Sequence, residues 1–92
     1  MRRKASMRER RSRDRIIYEI LRICAEGENI TRIVYRANTN FTTVRAYLDM
    51  LIKNDLVEVL QGSPIMYKTT QKGGDMRNHL RALYQELDDL NP

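Results

Sequence analysis

Between Asn40 and Val57 apolar and polar residues alternate at helical spacing. Phe41, Val44, Leu48, Leu51 and Ile52 fall on one side of a helix, at the three-to-four-residue step of an amphipathic face. Thr42, Thr43, Arg45, Ala46, Asp49 and Lys53 fall on the other. Asn40 stands where an N-cap belongs, because its side chain can accept a free amide of the first turn. Asn54 and Asp55 end the pattern, and Leu56-Val57 opens a stretch of strand character. The apolar face requires a partner. The opposite face opens with small hydrogen-bonding residues and one arginine, which suits the edge of a nucleic-acid groove as well as plain solvent.

The flanking pattern supplies the context. Upstream, Ile16, Ile17, Ile20, Leu21 and Cys24 form the stripe of a helix expected over 12–25, with Gly27 as its stop. Ser6-Met7-Arg8-Glu9 matches a capping box and offers an earlier start. Asn29-Ile30-Thr31 begins the next element as a short strand or a cap. A short helix over 31–37 turns Ile33, Val34 and Ala37 inward, and Asn38-Thr39-Asn40 is a turn by composition. Helix, short turn and helix make a helix-turn-helix, with 40–54 in the recognition position. Downstream the period changes to that of strands. Leu56–Gln61 and Ile65–Thr69 flank Gly62-Ser63-Pro64 and read as a hairpin, the wing of a winged helix.

Thr70-Gln71-Lys72-Gly73-Gly74 reads as a joint. Its two glycines disfavour a helix interior, so the last helix is expected to be broken there or to start at Asp75. Beyond it Met76, Leu80, Leu83, Leu87 and Leu90 step as the a and d positions of a heptad seam. The seam can pack on its own domain or on a second copy. Arg77 and Arg81 precede Glu86, Asp88 and Asp89, which, apart from Asp75, runs against the preference of the helix dipole. An antiparallel pair would set each basic end beside the partner's acidic end, which favours self-association in that direction.

Charge changes the picture at one end. Of the net +5 over 92 residues, the first fifteen residues hold Arg2, Arg3, Lys4, Arg8, Arg10, Arg11, Arg13 and Arg15 against Glu9 and Asp14, while the rest carries one more acid than base. A basic arm over 1–11, expected to be mobile, points to a polyanion, nucleic acid before membrane, since it has no aromatic or leucine face. The opposing reading is a solubilising tail. No run of apolar residues is long enough to span a bilayer, and no apolar segment follows the basic start as in a secretory signal. Cys24 is the only cysteine and lies on an apolar stripe, so it reads as a core residue of an intracellular protein.

Catalytic patterns are missing. The chain has no GxGxxG or GxxxxGK[ST] loop, no CxxC pair and no HExxH, and its one histidine, His79, lies off the seam. Asp88-Asp89 sits on a terminal helix without a pocket. The reading is therefore non-enzymatic, with no cofactor, metal or small molecule implied. Candidate nucleic-acid contacts are Arg2, Arg3, Lys4, Arg8, Arg10 and Arg11 on the arm. On the domain they are Arg36, Asn40, Thr42, Thr43, Arg45 and Ala46, with Ser63 and Lys68 on the wing.

The order of segments from Ile16 to Leu90 resembles the archaeal winged-helix DNA-binding proteins of the ten-kilodalton "10a" type, found in the Sulfolobus group and more widely in archaea. The likeness rests on TRIVYRAN at 31–38, on YLDMLI at 47–52 with its Asp55-Leu56-Val57 exit, and on YKTTQKG at 67–73. The resemblance implies duplex DNA binding, as a regulator or with little sequence preference, and a homodimer through an antiparallel C-terminal coiled coil. The expectation is a mostly α chain with a small β-hairpin (α+β). It would comprise an arm (1–11), a winged-helix domain (12–72) and a dimerisation helix (73–92), in a nucleoid-associated cytoplasmic protein. The alternative is a winged-helix protein-interaction module with an RNA-binding or targeting tail.

Overall fold

The computed structural model describes residues 2–90, with side chains from residue 13 onward. Its elements are α1 (Arg2–Ile23), α2 (Ile30–Arg36), α3 (Phe41–Lys53), β1 (Val57–Leu60), β2 (Met66–Thr69) and α4 (Gln71–Asp89). This is the expected winged helix: three helices, a hairpin and a terminal helix. Among the described residues no helix is long and apolar enough to cross a membrane.

Helix α1 starts well before the expected Ser12, and before the capping box at Ser6. Its backbone is helical from Arg2, so the segment expected to be mobile continues the helix. The reason is local: residues 2–23 contain no glycine or proline and are rich in Arg, Glu, Met and Ala, which are good helix formers. The helix ends near Gly27, which takes a φ of 95°, a left-handed conformation that glycine adopts freely.

The core lies where α1, α2, α3 and the hairpin meet. Ile20, Leu21 and Cys24 of the first helical segment, Ile33 of α2, Val44, Leu48 and Leu51 of α3, and Leu56, Val57 and Tyr67 of the hairpin are all buried. Cys24 is a core residue as expected. Burial pushes its thiol pKa up to about 12, with the nearby Glu28 charge adding to the shift, so the neutral form persists. Phe41 departs from expectation. It stands 54% exposed at the first position of α3, one turn before the buried Val44, where the helix end overhangs the core.

Asn29 caps α2 by accepting the Arg32 amide at 3.0 Å. Its neighbour Glu28 exchanges backbone hydrogen bonds with Tyr67 at 2.9 and 2.8 Å. The cap and the strand character thus coexist on adjacent residues. Strands β1 and β2 pair antiparallel from Val57 with Thr69 to Leu60 with Met66. Thr69 ties the hairpin to the end of α1, its hydroxyl donating to the Leu21 carbonyl at 2.7 Å and its amide to that of Cys24 at 2.9 Å.

Helix α4 begins at Gln71, before the two glycines that were expected to delay it to Asp75. Thr70 caps it, its hydroxyl accepting the Gly73 amide at 3.0 Å and donating to the Asp55 carbonyl at 2.7 Å. Gly73 is required by packing rather than by flexibility. A Cβ there would stand 2.1 Å from the Leu56 carbonyl oxygen. A side chain is excluded, and the local propensity loss is offset by close docking of the helix on the hairpin. The helix then packs along α1.

Candidate nucleic-acid interface

Helix α3 divides its faces sharply. Val44, Leu48 and Leu51 are fully buried, while Thr42, Ala46, Asp49 and Lys53 are exposed. The exposed stripe steps by four, three and four residues, as one helix face must. Asn40 caps the helix by accepting the Thr43 amide at 2.8 Å. That carbonyl is thereby committed, and Thr43 itself is half-buried.

Arg45 leaves this stripe and lies toward the hairpin. One guanidinium nitrogen donates to the Tyr67 hydroxyl at 3.3 Å, and another stands 3.6 Å from the Asp49 carboxylate. The guanidinium carbon is 6.0 Å from the centroid of the Tyr67 ring. Hydrogen bonding to Tyr67 is the main cause, and the Asp49 charge a lesser one, of an upward shift in the arginine pKa, so the cation is retained.

The other candidates are more scattered. Arg36 lies 3.4 Å from Glu28, which also faces Arg32 at 3.5 Å. Arg36 is thus partly committed to an ion pair within the fold. Ser63 is exposed at the hairpin tip, and Lys68 is half-buried on β2 opposite Glu58. The side chains of Arg2, Arg3, Lys4, Arg8, Arg10 and Arg11 lie outside the described residues, although their backbone is part of α1.

Two exposed aromatics were not among the candidate contacts read from the sequence. Tyr35, at the end of α2, is 86% exposed, and Phe41 opens α3. For Tyr35 a signal was available, since it lies outside the inward set Ile33, Val34 and Ala37, whereas Phe41 has the spacing of the apolar face of α3. Arg32, on the outer side of the same ion-pair group, was also passed over.

On α4, Met76, Leu83, Leu87 and Leu90 of the seam are exposed and Leu80 is half-buried. A second face, which the seam pattern conceals, packs on α1. Tyr84 meets Tyr18 edge-on with ring centroids 5.4 Å apart, and the Arg15 guanidinium stands 4.9 Å from the Tyr84 ring centre. Beside this junction, Asp14–Ile16, the Ala37–Thr39 turn, Leu83, Tyr84, Leu87 and Asp88 line an open groove of about 750 Å³. His79 is exposed, and no group of three potential metal ligands occurs among the described residues.

A family model described as winged helix-turn-helix matches residues 10–88. The chain is 33% identical over 82 residues to an uncharacterized protein of Methanocaldococcus jannaschii, covering 88% of this chain and 81% of that protein. Its fold is similar to the crystal structure of Sso10a-2, a DNA-binding protein from Sulfolobus solfataricus. That match has a TM-score of 0.76 at 29% identity, over 84% of this chain and 82% of that one. A MarR family transcriptional regulator from Streptomyces coelicolor matches with a TM-score of 0.73 at 18% identity, over 92% of this chain and 73% of that one. At that identity the likeness concerns the fold alone.

Proposed function

This chain belongs to the winged helix-turn-helix family, and on that premise we propose that it binds double-stranded DNA as a dimeric regulator or chromatin-associated protein. The observation that carries the reading is the outer face of α3. Thr42, Ala46, Asp49 and Lys53 stand uncovered beside the hairpin, while the opposite face is sealed in the core. A helix so presented can enter a major groove, where small polar side chains and a methyl group read base edges. Arg45 lies between the helix and the wing and contributes a cation to the same surface. The DNA-binding description of Sso10a-2, whose fold this chain resembles over most of its length, supports DNA as the ligand.

The amino-terminal part of α1 supplies bulk affinity. Its concentration of arginines suits phosphate contacts that fix register without specifying sequence. Dimerisation is read from α4, where four apolar side chains are exposed on one face. Arg77 and Arg81 at one end and Glu86, Asp88 and Asp89 at the other suit an antiparallel partner helix. Two recognition helices carried in this way can address successive major grooves about 34 Å apart.

The test is a titration of short duplexes over a range of salt concentrations. The logarithm of affinity is expected to fall linearly with the logarithm of salt, by about 0.9 per phosphate contact. Deleting residues 2–11 is expected to weaken all duplexes alike and to flatten that slope. Failure of the intact chain to bind any duplex would refute the reading and leave the protein-docking module as its successor.

A further inference from the structure

The position of Arg45 is settled by a residue 22 positions away. Tyr67 is buried, and its backbone is paired on both sides. It is 5% exposed, pairs with Val59 across the hairpin and exchanges two backbone hydrogen bonds with Glu28. Its backbone is therefore held on both sides, and its hydroxyl lies beside α3. There it accepts from Arg45 at 3.3 Å, while Asp49 stands 3.6 Å from a second guanidinium nitrogen.

We propose that Tyr67 is a positioning residue for nucleic-acid binding: its hydroxyl, opposed by Asp49, holds the Arg45 guanidinium ready at the junction of α3 and the wing. The inference rests on α3 being the DNA-facing helix. An arginine carries considerable rotamer freedom, and part of its binding energy is lost if that freedom is removed only on contact. Here the hydrogen bond to Tyr67 and the Asp49 charge remove part of it beforehand. The guanidinium has five N–H donors in a fixed fork, so donors remain for a phosphate after Tyr67 and Asp49 are satisfied. The side chain of Arg45 is 43% exposed, which leaves those donors accessible.

The same arrangement sets the kind of contact. Arg45 flanks the stripe on the hairpin side, between Asp49 and the Tyr67 hydroxyl of β2. A cation between helix and wing meets the phosphate backbone at the rim of a groove rather than the base edges on its floor. Arg45 then contributes register and affinity, and base discrimination falls to Thr42 and Ala46.

The test is a double-mutant cycle on duplex affinity with Tyr67→Phe and Arg45→Ala. Tyr67→Phe keeps the ring and its packing and removes only the hydroxyl. It is expected to weaken binding about three- to tenfold, the scale set by ordering one long side chain at the moment of binding. In the Arg45→Ala background the same change is expected to have no effect. Equal losses in both backgrounds would reduce Tyr67 to a structural role and overturn the proposal, and so would no loss in the wild-type background. If the wild type binds no duplex, the reading of α3 falls and the DNA role of Tyr67 falls with it. A measurement without DNA separates the two failures. The Arg45 Nη–H resonances of the free chain are expected to show a single ordered environment with hindered guanidinium rotation. A rapidly averaged side chain would overturn the positioning even if duplex binding is confirmed.

Discussion

Helices α3 and α4 carry apolar residues at similar spacing, yet their exposure differs. In α3 the stripe Val44, Leu48 and Leu51 is fully buried beneath α2 and the hairpin. In α4, Leu83 and Leu87 are each 47% exposed and Leu90 is 77% exposed. An amphipathic pattern states that a face must be covered, and it is silent on what covers it. The α3 stripe has its cover nearby in sequence, in the helix before it and the strands after it. The α4 helix divides its attention: Gly73 and Tyr84 face the rest of the chain, while most of the seam is left outside. Burial inside one chain and burial between two chains leave the same periodicity in the sequence.

The largest expected effect tests the covered side. Leu48→Ala should lower stability by about 2–5 kcal/mol, the range for emptying a fully buried leucine site. Urea unfolding measures it, and the loss should not depend on protein concentration. Leu83→Ala should lower stability by less than about 1 kcal/mol in dilute solution, since much of its surface is already in water. A Leu83→Ala loss as large as that of Leu48→Ala under dilute conditions would erase the contrast.

The adjacent glycines of α4 offer a second, smaller contrast. Gly73→Ala should lower stability by about 1–3 kcal/mol, because its methyl would displace the Leu56 carbonyl on which the helix docks. Gly74 faces open space. Gly74→Ala should raise stability by about 0.5–1 kcal/mol through the backbone freedom it removes from the unfolded chain. Calorimetry on the two single variants should give shifts of opposite sign.

These glycines also show what could be read in advance. The helix-turn-helix and the hairpin were legible because their signals are local: the Asn40 cap, the Asn38 turn, and the change of period at Leu56. The early start of α4 was not, because intrinsic propensity argued against Gly73 and the close approach that demands it comes from Leu56, far back in the chain. The exposure of Phe41 escaped for a related reason, since periodicity places a residue on a face and does not say where the core ends. Among the candidate contacts, the Asn40 cap and the exposure of Thr42 and Ala46 were legible. The tie from Arg45 to Tyr67 was not, because no local pattern joins α3 to β2. The inner face of α4 was hidden by the more regular leucine seam beside it.

The uncovered side is tested by giving it or denying it a partner. Leu83→Glu with Leu87→Glu should abolish concentration-dependent sedimentation and lower duplex affinity by about tenfold or more, through loss of the linked second site. Direction is tested by disulfides. Met76→Cys mixed with Leu90→Cys should crosslink in an antiparallel pair, whereas Met76→Cys should fail to crosslink to itself. Cys24 can be left in place, since it is fully buried and its thiol pKa is pushed up to about 12. Ready self-crosslinking at residue 76 would make the pair parallel.

The smallest effect probes the boundary between the two sides of α4. The Tyr84 hydroxyl is buried and has no hydrogen-bond partner among the described residues. Burial is also the main reason that the pKa of this tyrosine is raised, with the Asp14 charge adding to it. An unpaired buried hydroxyl opposes folding, while the ring it belongs to makes edge contact with Tyr18 and lies beside Arg15. Tyr84→Phe retains the ring and removes the unpaired group. In dilute solution it should therefore be neutral or stabilising by up to about 1 kcal/mol. The groove beside Tyr84 is also walled by Leu83 and Leu87 of the seam, so a second copy seated there could supply a partner for the hydroxyl. In that case the sign should reverse at concentrations where the chain self-associates, and Tyr84→Phe should become destabilising only there. Unfolding measured at two protein concentrations decides between them. A gain at both concentrations means that the α1–α4 junction is complete within one chain. A change of sign means that the partner reaches past the leucine seam to the inner face of the helix.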